Sequence, residues 1–200
     1  MGAGGHGKVV ADIAKRVGYT EILFLDDNPS MKTCNGYLVV GTGKDYDQFH
    51  DSDFIVAIGN SKIRKSFQDN LSQKGLSLAT LVHPNAVIGE NVVLGEGTVV
   101  MAGAVINPCV KIGRGCIINT CASVDHDCVV GEYAHISIGA HIAGAVTIGN
   151  DTWIGVGAAI INNVEICNDC MVGAGATVIS SLCSPGTYIG TPAKRYEKDC

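Results

Sequence analysis

The apolar residues of the chain fall into a six-residue repeat that runs from Val82 to Val178. Every sixth position in this stretch is Val, Ile or Leu, namely Val82, Ile88, Leu94, Val100, Ile106, Ile112, Ile118, Val124, Val130, Ile136, Ile142, Ile148, Ile154, Ile160, Ile166, Val172 and Val178. Four residues after most of them stands a small side chain, as at Ala104, Ala122 and Ala140. A period of six fits neither a helix of about 3.6 residues per turn nor the two-residue alternation of a strand. The repeat predicts a β-solenoid in which each hexapeptide forms one short strand and one corner.

Residues 1–80 have a different pattern, in which apolar strands alternate with more polar helical stretches. The pattern predicts helices over 8–17 and 62–73 and strands over 22–25, 37–40, 54–58 and 76–82. Alternation of this kind is typical of a small parallel α/β domain. We therefore predict two domains, an α/β domain over 1–80 and a solenoid domain over 81–200 that includes a short charged tail.

A glycine-rich segment, Gly2-Ala3-Gly4-Gly5-His6-Gly7, opens the α/β part and runs into its first helix. Backbone N–H groups at such a helix start can face a phosphate, and an acidic residue after the next strand can bind a ribose hydroxyl. Asp26 and Asp27 follow the segment at about the spacing that this arrangement requires. The pattern normally follows a strand, but only Met1 precedes Gly2, so we expect the first strand of the unit to be missing. The alternative is a tight turn in a purely structural domain.

Charge and composition narrow the function classes. The 200 residues carry a formal net charge of −5 and few clusters of Lys or Arg, which argues against a nucleic-acid partner. No apolar run reaches membrane-spanning length, so we expect no membrane insertion. Three of the nine cysteines, Cys116, Cys128 and Cys170, fall on interior positions of the repeat, where a free thiol packs as a small hydrophobe. We expect a reduced, cytoplasmic protein, and the lone Cys167-x-x-Cys170 pair does not predict a zinc site.

A histidine interrupts the apolar repeat at Ser123-Val124-Asp125-His126-Asp127-Cys128. Histidine is suited to general-base chemistry near neutral pH, and a neighbouring carboxylate can fix its tautomer and stabilise its cation. A corner histidine held by an aspartate for structural reasons is the equal alternative. Stacking of 18-residue coils would place Pro108 and Gly144 beside His126, and we expect Gly144 to leave open space there for a thioester or an amine.

One row of residues that directly precede interior positions should point outward and is nearly all apolar. It consists of Leu81, Val99, Ile117, His135, Trp153 and Met171. An apolar face on a protein of this kind usually marks an interface. We therefore expect the solenoids to associate, with His135 at or near the contact, either as a site residue or as a polar residue on its rim. His141 has the same phase on the next face and is interpreted as structural, whereas Asn119 is a weaker candidate for shaping the pocket.

Several motifs are specific enough to point to a family. They are the glycine-rich segment, Leu25-Asp26-Asp27, Ala57-Ile58-Gly59-Asn60, Val124 to Cys128 with Gly131 to His135, and the closing Gly190-Thr191-Pro192-Ala193-Lys194. With these motifs, residues 2–195 resemble bacterial sugar acetyltransferases that join a small nucleotide-sugar-binding α/β domain to a left-handed β-helix. The likeness is strongest to UDP-4-amino-sugar N-acetyltransferases of the bacillosamine pathway. Sialic-acid O-acetyltransferases and perosamine N-acetyltransferases are relatives.

The resemblance implies acetyl-coenzyme A as co-substrate, a homotrimer with active sites between adjacent β-helices, and no metal. His126 would be the general base for the sugar amine, and Asp127 would raise its basicity, although Asp127 is shorter than the glutamate of the bacillosamine enzyme. Residues on the acetyl-coenzyme A side would be His135, Gly144, Val156 and Ala174. Residues on the nucleotide-sugar side would be Gly4, Gly5, His6, Asp26, Asp27, Gly59 and Asn119.

Three other functions fit part of the pattern. A trimeric β-helix can hold zinc with three histidines, as carbonic anhydrases of this shape do, but the spacing of His126, His135 and His141 does not match theirs. A non-catalytic scaffold or nucleotide sensor would use His126 only for packing. O-acetylation of a sialic acid or a similar sugar hydroxyl would use the same base as N-acetylation, so the repeat region does not separate these two reactions.

Overall fold

A computed structural model of the chain describes residues 1–197, so the last three residues of the predicted tail, 198–200, lie outside the described residues. The first part of the chain contains two α-helices, one short 3-10 helix and five strands. These are α1 (Gly5–Arg16), α2 (Ser61–Gln73), the 3-10 helix Asp45–Gln48, β1 (Phe24–Leu25), β2 (Thr33–Cys34), β3 (Tyr37–Gly41), β4 (Asp53–Phe54) and β5 (Ser77–Leu78). Over residues 1–197, no helix is both long enough and apolar enough to cross a membrane.

Both α-helices begin slightly earlier than the apolar pattern predicts. Helix α2 begins at Ser61 because the side chain of Asn60 accepts a hydrogen bond of 3.1 Å from the Ile63 N–H, which satisfies one of the free donors of the first turn. Helix α1 begins at Gly5 with Gly4 as its N-cap, and no side chain caps it. Its first turn also carries no acidic residue, so its free N–H groups keep their preference for a negative charge.

The strands of the first part form two separate small sheets, one in the order β1-β3-β2 and one that pairs β4 with β5 in parallel. Met1 and Gly2 lie between these sheets. The Met1 amino group donates to the Ile55 carbonyl at 2.8 Å, and the Gly2 N–H donates to the Leu25 carbonyl at 2.9 Å. The strand predicted over 54–58 pairs regularly with β5 only at Asp53–Phe54, while Ile55 and Ala57 form hydrogen bonds with the backbone of Met1.

From Leu81 onward the chain forms short strands at six-residue intervals. They are β6 (Leu81–Val82), β7 (Val87–Ile88), β8 (Val93–Leu94), β9 (Val99–Val100), β10 (Val105–Ile106), β11 (Lys111–Ile112), β12 (Ile117–Ile118), β13 (Ser123–Val124), β14 (Val129–Val130), β15 (His135–Ile136), β16 (His141–Ile142), β17 (Thr147–Ile148), β18 (Trp153–Ile154), β19 (Ala159–Ile160), β20 (Glu165–Ile166), β21 (Cys170–Val172), β22 (Thr177–Val178), β23 (Gly186–Ile189) and β24 (Lys194–Arg195). From β6 to β22, every third strand pairs in parallel with the same offset, as in Ile117 with His135 and His135 with Trp153. Beyond them β21 pairs with β23 at a shorter offset, as in Met171 with Thr187.

The pairs stack into three faces, made by every third strand from β7 to β22, from β8 to β20 and from β6 to β21, the last face being extended by β23 and β24. All of these pairs are parallel except β23 with β24, which is antiparallel. This arrangement confirms the predicted left-handed parallel β-helix. From Val100 to Val178 the branched aliphatic residue of each hexapeptide lies inside and packs with small residues such as Ala104 and Ala122 in one continuous buried cluster. The first rungs are more open, and Ile88 is 38% exposed. Cys116, Cys128 and Cys170 belong to this cluster, as predicted, because a thiol there fills the volume of a small apolar side chain.

The outward apolar row on the third face is only partly available for contact with another molecule. Leu81, Val99 and Ile117 are buried within the same chain, where they pack against the apolar face of α1, including Val10 and Ile13. The expectation that this whole row contacts a second β-helix is therefore wrong for its first half. The α/β part covers that half because its own helix needs an apolar surface to pack on.

Candidate active site

His126 lies on the corner that follows β13, with its imidazole exposed to solvent. Its Nδ1 lies 2.8 Å from Oδ2 of Asp127, so in the neutral ring Nδ1 carries the proton and Nε2 carries the free lone pair. The Asp125 carboxylate accepts a hydrogen bond of 2.8 Å from the His126 N–H and one of 2.6 Å from the Asn107 amide. The corner therefore presents a basic nitrogen held in one orientation.

The carboxylates around His126 raise its pKa above the ordinary value. The hydrogen bond to Asp127 is the largest cause, and the negative charge of Asp125 is the next. The pKa of Asp125 is lowered, chiefly because the Asn107 amide donates to it and also because the His126 N–H does. Asp127 has a backbone φ of +58°, one of the left-handed corner positions that aspartate and asparagine tolerate well. The corner conformation thus aims the carboxylate back at the ring.

Gly144 lies one coil above His126, but it does not leave open space beside the imidazole. A Cβ atom at Gly144 would lie 2.6 Å from His126 Nε2 and 2.7 Å from its Cε1, so the ring itself occupies the space that a side chain would fill. The sequence-based expectation is wrong in this detail. Because Gly144 has no side chain, the imidazole of His126 can occupy this space. A substrate must therefore approach the imidazole from the solvent side.

Unlike His126, which is exposed on a corner, His135 lies where the β-helix meets the α/β part. Its Nε2 lies 3.0 Å from Nδ2 of Asn119, and its ring stacks on Trp153 with centroids 4.9 Å apart. Burial, together with the charges of Arg64 and His6, lowers the pKa of His135 to about 3. The imidazole is therefore neutral near pH 7. Nδ1 of His135 is buried and has no hydrogen-bond partner among residues 1–197.

Arg64 is the charged residue that joins the two parts of the chain. It is 1% exposed and donates hydrogen bonds of 2.7–2.9 Å to four backbone carbonyls, those of Gly115, Tyr133, Ile58 and Gly59. Two of these carbonyls belong to the β-helix and two to the turn before α2. Arg64 fixes the α/β part against the β-helix and holds the Gly59 turn in place beside it.

The glycine-rich segment runs into α1, with Gly4 and Gly5 exposed at the start of the helix. Asp26 accepts a hydrogen bond of 2.7 Å from the Ala3 N–H, and Asp27 accepts one of 2.8 Å from the Gly43 N–H. Both carboxylates therefore shape the loops around the segment, each with one bond to a distant backbone amide. His6 on α1 is largely buried, and burial is the main reason that its pKa is lowered to about 4.

A cleft of about 270 Å³ opens between the start of α2 and the third face of the β-helix. Its walls include Gly59 and Asn60 on one side and His135 and Trp153 on the other. Lys62 spans its rim toward Asp169 at 3.5 Å. The cleft thus brings His135 together with Gly59, two residues that the sequence assigns to different substrates.

The structure does not bring all predicted site residues together in one copy of the chain. His126 lies on the corner between the first and second faces, whereas His135 lies on the third face. Val156 and Ala174 lie exposed on the corner after β18 and β21, one coil apart. Within residues 1–197, no group of three His, Cys, Asp or Glu side chains is arranged to hold a metal ion.

Sequence reasoning missed several residues at the junction, above all Arg64, Tyr133 and Asn60. Tyr133 is 1% exposed, and Lys65 and Arg114 lie over its ring, each 5.6–5.7 Å from the centroid. A tyrosine in place of a small residue at a repeat corner was the one signal that could have drawn attention to it. Arg64 had no such signal, because most residues of α2 are polar or charged.

A β-helix of hexapeptide rungs with an exposed His–Asp pair, joined to a glycine-rich α/β part, defines the class of two-part hexapeptide transferases. Family comparisons agree with this class. The profile described as PglD N-terminal domain matches residues 1–71, and the profile described as bacterial transferase hexapeptide (six repeats) matches residues 91–126 and 145–180.

Individual relatives define the family more closely. The chain is 30% identical over 162 residues to GDP-perosamine N-acetyltransferase of Escherichia coli O157:H7, a match that covers 74% of this chain and 70% of that protein. It is 37% identical over 109 residues to UDP-N-acetylbacillosamine N-acetyltransferase of Bacillus subtilis (strain 168), where the match covers 51% of this chain and only 50% of that protein. The acetyltransferase domain of PglB from Neisseria gonorrhoeae FA1090, solved in complex with acetyl coenzyme A, is 39% identical with a TM-score of 0.95, covering 98% of this chain and 96% of that chain. The chain belongs to this family of sugar N-acetyltransferases.

Proposed function

We propose that the protein transfers an acetyl group from acetyl-coenzyme A to the 4-amino group of a UDP-linked amino sugar. The observation that carries this proposal is the exposed His126–Asp127 pair on a hexapeptide β-helix, with the 2.8 Å contact leaving Nε2 free as a base. The relatives support the substrates, because their names specify nucleotide-sugar N-acetyltransferases and one related structure contains acetyl coenzyme A. The relatives include both a UDP-sugar and a GDP-sugar enzyme, so the choice of UDP rests on the motif resemblance to UDP-4-amino-sugar N-acetyltransferases.

The proposed reaction is a direct transfer without a covalent enzyme intermediate. The sugar amine attacks the thioester carbonyl, the carbon–sulfur bond breaks, and coenzyme A leaves as the thiolate. His126 Nε2 accepts the proton that the amine loses, while Asp127 stabilises the resulting imidazolium through Nδ1. Holding the amine and the thioester side by side supplies much of the acceleration. His135, which is neutral at the same pH, would face the acetyl group from the other side of the site.

We propose that the active site is completed between subunits of a homotrimer. His126 and His135 lie on different faces of one chain, so one copy cannot bring both to the same substrate. The corners of the β-helix also expose apolar side chains such as Ile138, Val156 and Ile179, each at least half exposed. Apolar surface of this kind favours association. In this arrangement Val156, Ala174 and Gly144 would border the coenzyme A path.

Each part of the chain has its own proposed role in substrate binding or acetyl transfer. We assign the nucleotide-sugar to an α/β domain over 1–80, with Gly4, Gly5, His6, Asp26, Asp27 and Gly59 around it and Asn119 at its border. Acetyl transfer is assigned to the β-helix domain over 81–200. A cytoplasmic location is proposed because the co-substrate is acetyl-coenzyme A and because the eight cysteines within residues 1–197 are all free thiols.

The test is thiol release from acetyl-coenzyme A with a panel of acceptors: a UDP-4-amino sugar, GDP-perosamine and free sialic acid. We expect turnover with the UDP-4-amino sugar and a loss of about 100-fold or more in the His126→Ala variant. The His126→Asn variant is the matched control, because it keeps a polar side chain of similar size without a base. Turnover restricted to GDP-perosamine or sialic acid would overturn the acceptor assignment, and full activity of His126→Ala would overturn the mechanism.

Subunit mixing tests the shared site. We expect His126→Ala and His135→Ala homomers to be nearly inactive, and mixed oligomers to regain activity at interfaces where an intact His126 meets an intact His135. Sedimentation should give the mass of three 20.8 kDa chains. Failure of the mixed oligomers to exceed either parent would contradict a site shared between subunits.

A further inference from the structure

The turn between β20 and β21 places two thiols in contact. Sγ of Cys167 lies 3.5 Å from Sγ of Cys170. Cys170 belongs to the interior of the β-helix and is 2% exposed, whereas Cys167 on the turn is only partly buried. The turn therefore holds one thiol within reach of solvent directly beside one that is shielded from it.

Earlier coils have glycine at the position of Cys167. Counting back by whole coils of 18 residues gives Gly149, Gly131, Gly113 and Gly95. A side chain does not fit at Gly149, since a Cβ atom there would lie 2.6 Å from the carbonyl carbon of Cys167 in the next coil. The last coil is shorter, and the Cys167 N–H bonds to the Leu182 carbonyl within it. Cys167 thus lies where the regular stacking ends, which leaves room for its side chain.

One hydroxyl group holds the two ends of this turn together. Oγ1 of Thr152 donates to the Cys167 carbonyl at 3.0 Å and accepts from the Cys170 N–H at 3.3 Å. Thr98 makes the equivalent pair of bonds in an earlier coil. Thr152 is 1% exposed, so water does not compete for these bonds. The backbone of the turn is therefore fixed, and the side chains at its first and fourth positions stay side by side.

We infer that Cys167 and Cys170 form a reversible oxidation site, at which a peroxide converts the two thiols into a disulfide. The two Sγ atoms must approach from 3.5 Å to about 2.05 Å. Because Thr152 already holds the ends of the turn together, rotation of the side chains supplies most of this approach. In a reducing cytoplasm the pair rests as thiols and is oxidised only when peroxide accumulates.

Oxidation proceeds in two steps, with the more exposed thiol as the first nucleophile. The Cys167 thiolate attacks one oxygen of hydrogen peroxide, which breaks the O–O bond and gives a sulfenic acid, and the departing hydroxide takes up a proton to become water. The Cys170 thiol then attacks the sulfenic sulfur, the S–S bond forms, and the hydroxyl leaves with the thiol proton as a second water. Burial and the hydrogen bond to Cys167 raise the pKa of Cys170 to about 12, which suits this thiol to the second step.

The turn also borders the cleft beside His135. Cys170 lines this cleft together with Trp153, and the Asp169 carboxylate lies 3.5 Å from Lys62 Nζ across its rim. Asp169 has a backbone φ of +54° and lies within the ring that the disulfide closes. Formation of the disulfide therefore shifts Asp169 relative to Lys62 and changes the rim of the cleft. The effect on acetyl transfer rests on the proposed function, whereas formation of the disulfide does not.

The test adds hydrogen peroxide, in slight excess over protein, to the reduced full chain. We expect each chain to lose two thiols and the mass of two hydrogen atoms, and to give a proteolytic fragment in which Cys167 is joined to Cys170. Emission of Trp153, the one tryptophan of the sequence, should change at the same rate. Dithiothreitol should reverse all of these changes, because it reduces the disulfide by thiol exchange.

The Cys167→Gly variant is the matched control, because four earlier coils have glycine at this position. Its loss of thiol at this turn should be about tenfold slower or more, with no change in Trp153 emission. Cys183→Ser removes an exposed thiol outside the pair and should be oxidised like the unchanged chain. Oxidation of Cys167 to a sulfinic acid without a bond to Cys170, or the same emission change in Cys167→Gly, would overturn the inference.

Kinetic measurements separate the oxidation site from the proposed function. In the active enzyme we expect the disulfide to raise the KM of the amino-sugar acceptor by about threefold or more, and dithiothreitol to restore it. An unchanged KM in fully oxidised enzyme would refute the effect on the cleft. A chain that acetylates no acceptor would refute the proposed function, while thiol loss and Trp153 emission would still decide whether the disulfide forms.

Discussion

The side-chain amide of Asn119 fixes the tautomer of His135. Asn119 Oδ1 accepts a hydrogen bond of 2.8 Å from the Thr120 N–H, which turns Nδ2 toward His135 Nε2 at 3.0 Å. An amide N–H in this position needs an acceptor, so Nε2 carries the lone pair and Nδ1 carries the proton. His135 lines the cleft, and its Nδ1 has no partner within residues 1–197. Asn119 therefore holds His135 as a neutral imidazole with its proton on Nδ1.

Replacing Asn119 by aspartate should reverse this tautomer. A carboxylate at the same place accepts from Nε2–H, which moves the proton away from Nδ1 and also raises the pKa of His135. The nitrogen chemical shifts of the His135 ring should report the exchange directly, and acetyl transfer should fall by about tenfold or more. Asn119→Ala is the control, because it removes the donor without supplying an acceptor. An unchanged ring spectrum in Asn119→Asp would refute the assignment.

Asp127→Asn should shift the pH profile of acetyl transfer. A general base acts in its neutral form, so the rate rises as pH passes upward through the pKa of His126. Asp127 is the main cause that holds this pKa above the ordinary value, so its removal lowers the pKa and moves the rising limb to lower pH. The plateau rate should also fall, since a weaker base accepts the proton less readily. The measurement is kcat/KM from about pH 5 to 9.

The Asp125→Asn variant is the control for the pH profile of the Asp127→Asn variant. Asp125 contributes through its charge, which ranks second among the causes that raise the pKa of His126. Its removal should move the limb in the same direction by a smaller amount. A larger shift for Asp125→Asn than for Asp127→Asn would contradict the assigned order of the two carboxylates.

Gly144→Ala should disable the site without unfolding the β-helix. The new Cβ would lie 2.6 Å from His126 Nε2, so the imidazole must leave its seat. The backbone at Gly144 is not in the left-handed region, so alanine fits its conformation. We expect acetyl transfer to fall by about tenfold or more with a nearly unchanged melting temperature. In a His126→Ala background the same change should have no further effect, and a further loss there would show that Gly144 acts by another route.

Arg64→Met should loosen the joint between the α/β part and the β-helix. The variant leaves four buried or half-buried carbonyls without their donor, so we expect the free energy of unfolding to fall by about 3 kcal/mol or more. Urea denaturation gives this quantity. Arg64→Lys should recover part of the loss, because an ammonium group keeps the charge and three donors but not the planar fork. A loss below about 1 kcal/mol for Arg64→Met would contradict this role.

The β-helix was predictable because each rung repeats the same local requirement. An interior position at every sixth residue must be apolar, and Ile118, Ile136 and Ile154 satisfy it independently of the rest of the chain. The His126 corner was predictable for the opposite reason, since a polar triplet stands out against an apolar repeat. The contact between Gly144 and the His126 ring was not predictable, because a glycine can leave space either for a ligand or for a neighbouring ring.

The joint between the two parts could not be predicted from the sequence. Arg64 forms this joint by donating hydrogen bonds to backbone carbonyls such as those of Gly115 and Tyr133. Every residue has a carbonyl, so the sequence does not show which ones accept these bonds. Asn119 and His135 lie 16 residues apart, close to one coil, yet their contact depends on the Thr120 N–H that orients the amide. The sequence alone does not give the orientation of the Asn119 amide.

The constant offset between neighbouring coils also limits how this protein can vary in length. From β6 to β22 each strand residue lies next to its counterpart 18 positions away, as Ile117 lies next to His135 and His135 next to Trp153. The last coil is shorter and pairs Met171 with Thr187. Inserting a single hexapeptide between Asn119 and His135 would carry every later residue to the next face and separate the stacked rings from the α/β part. Before the last coil, only the gain or loss of a whole coil keeps the faces in phase, so the β-helix changes length there in steps of one coil.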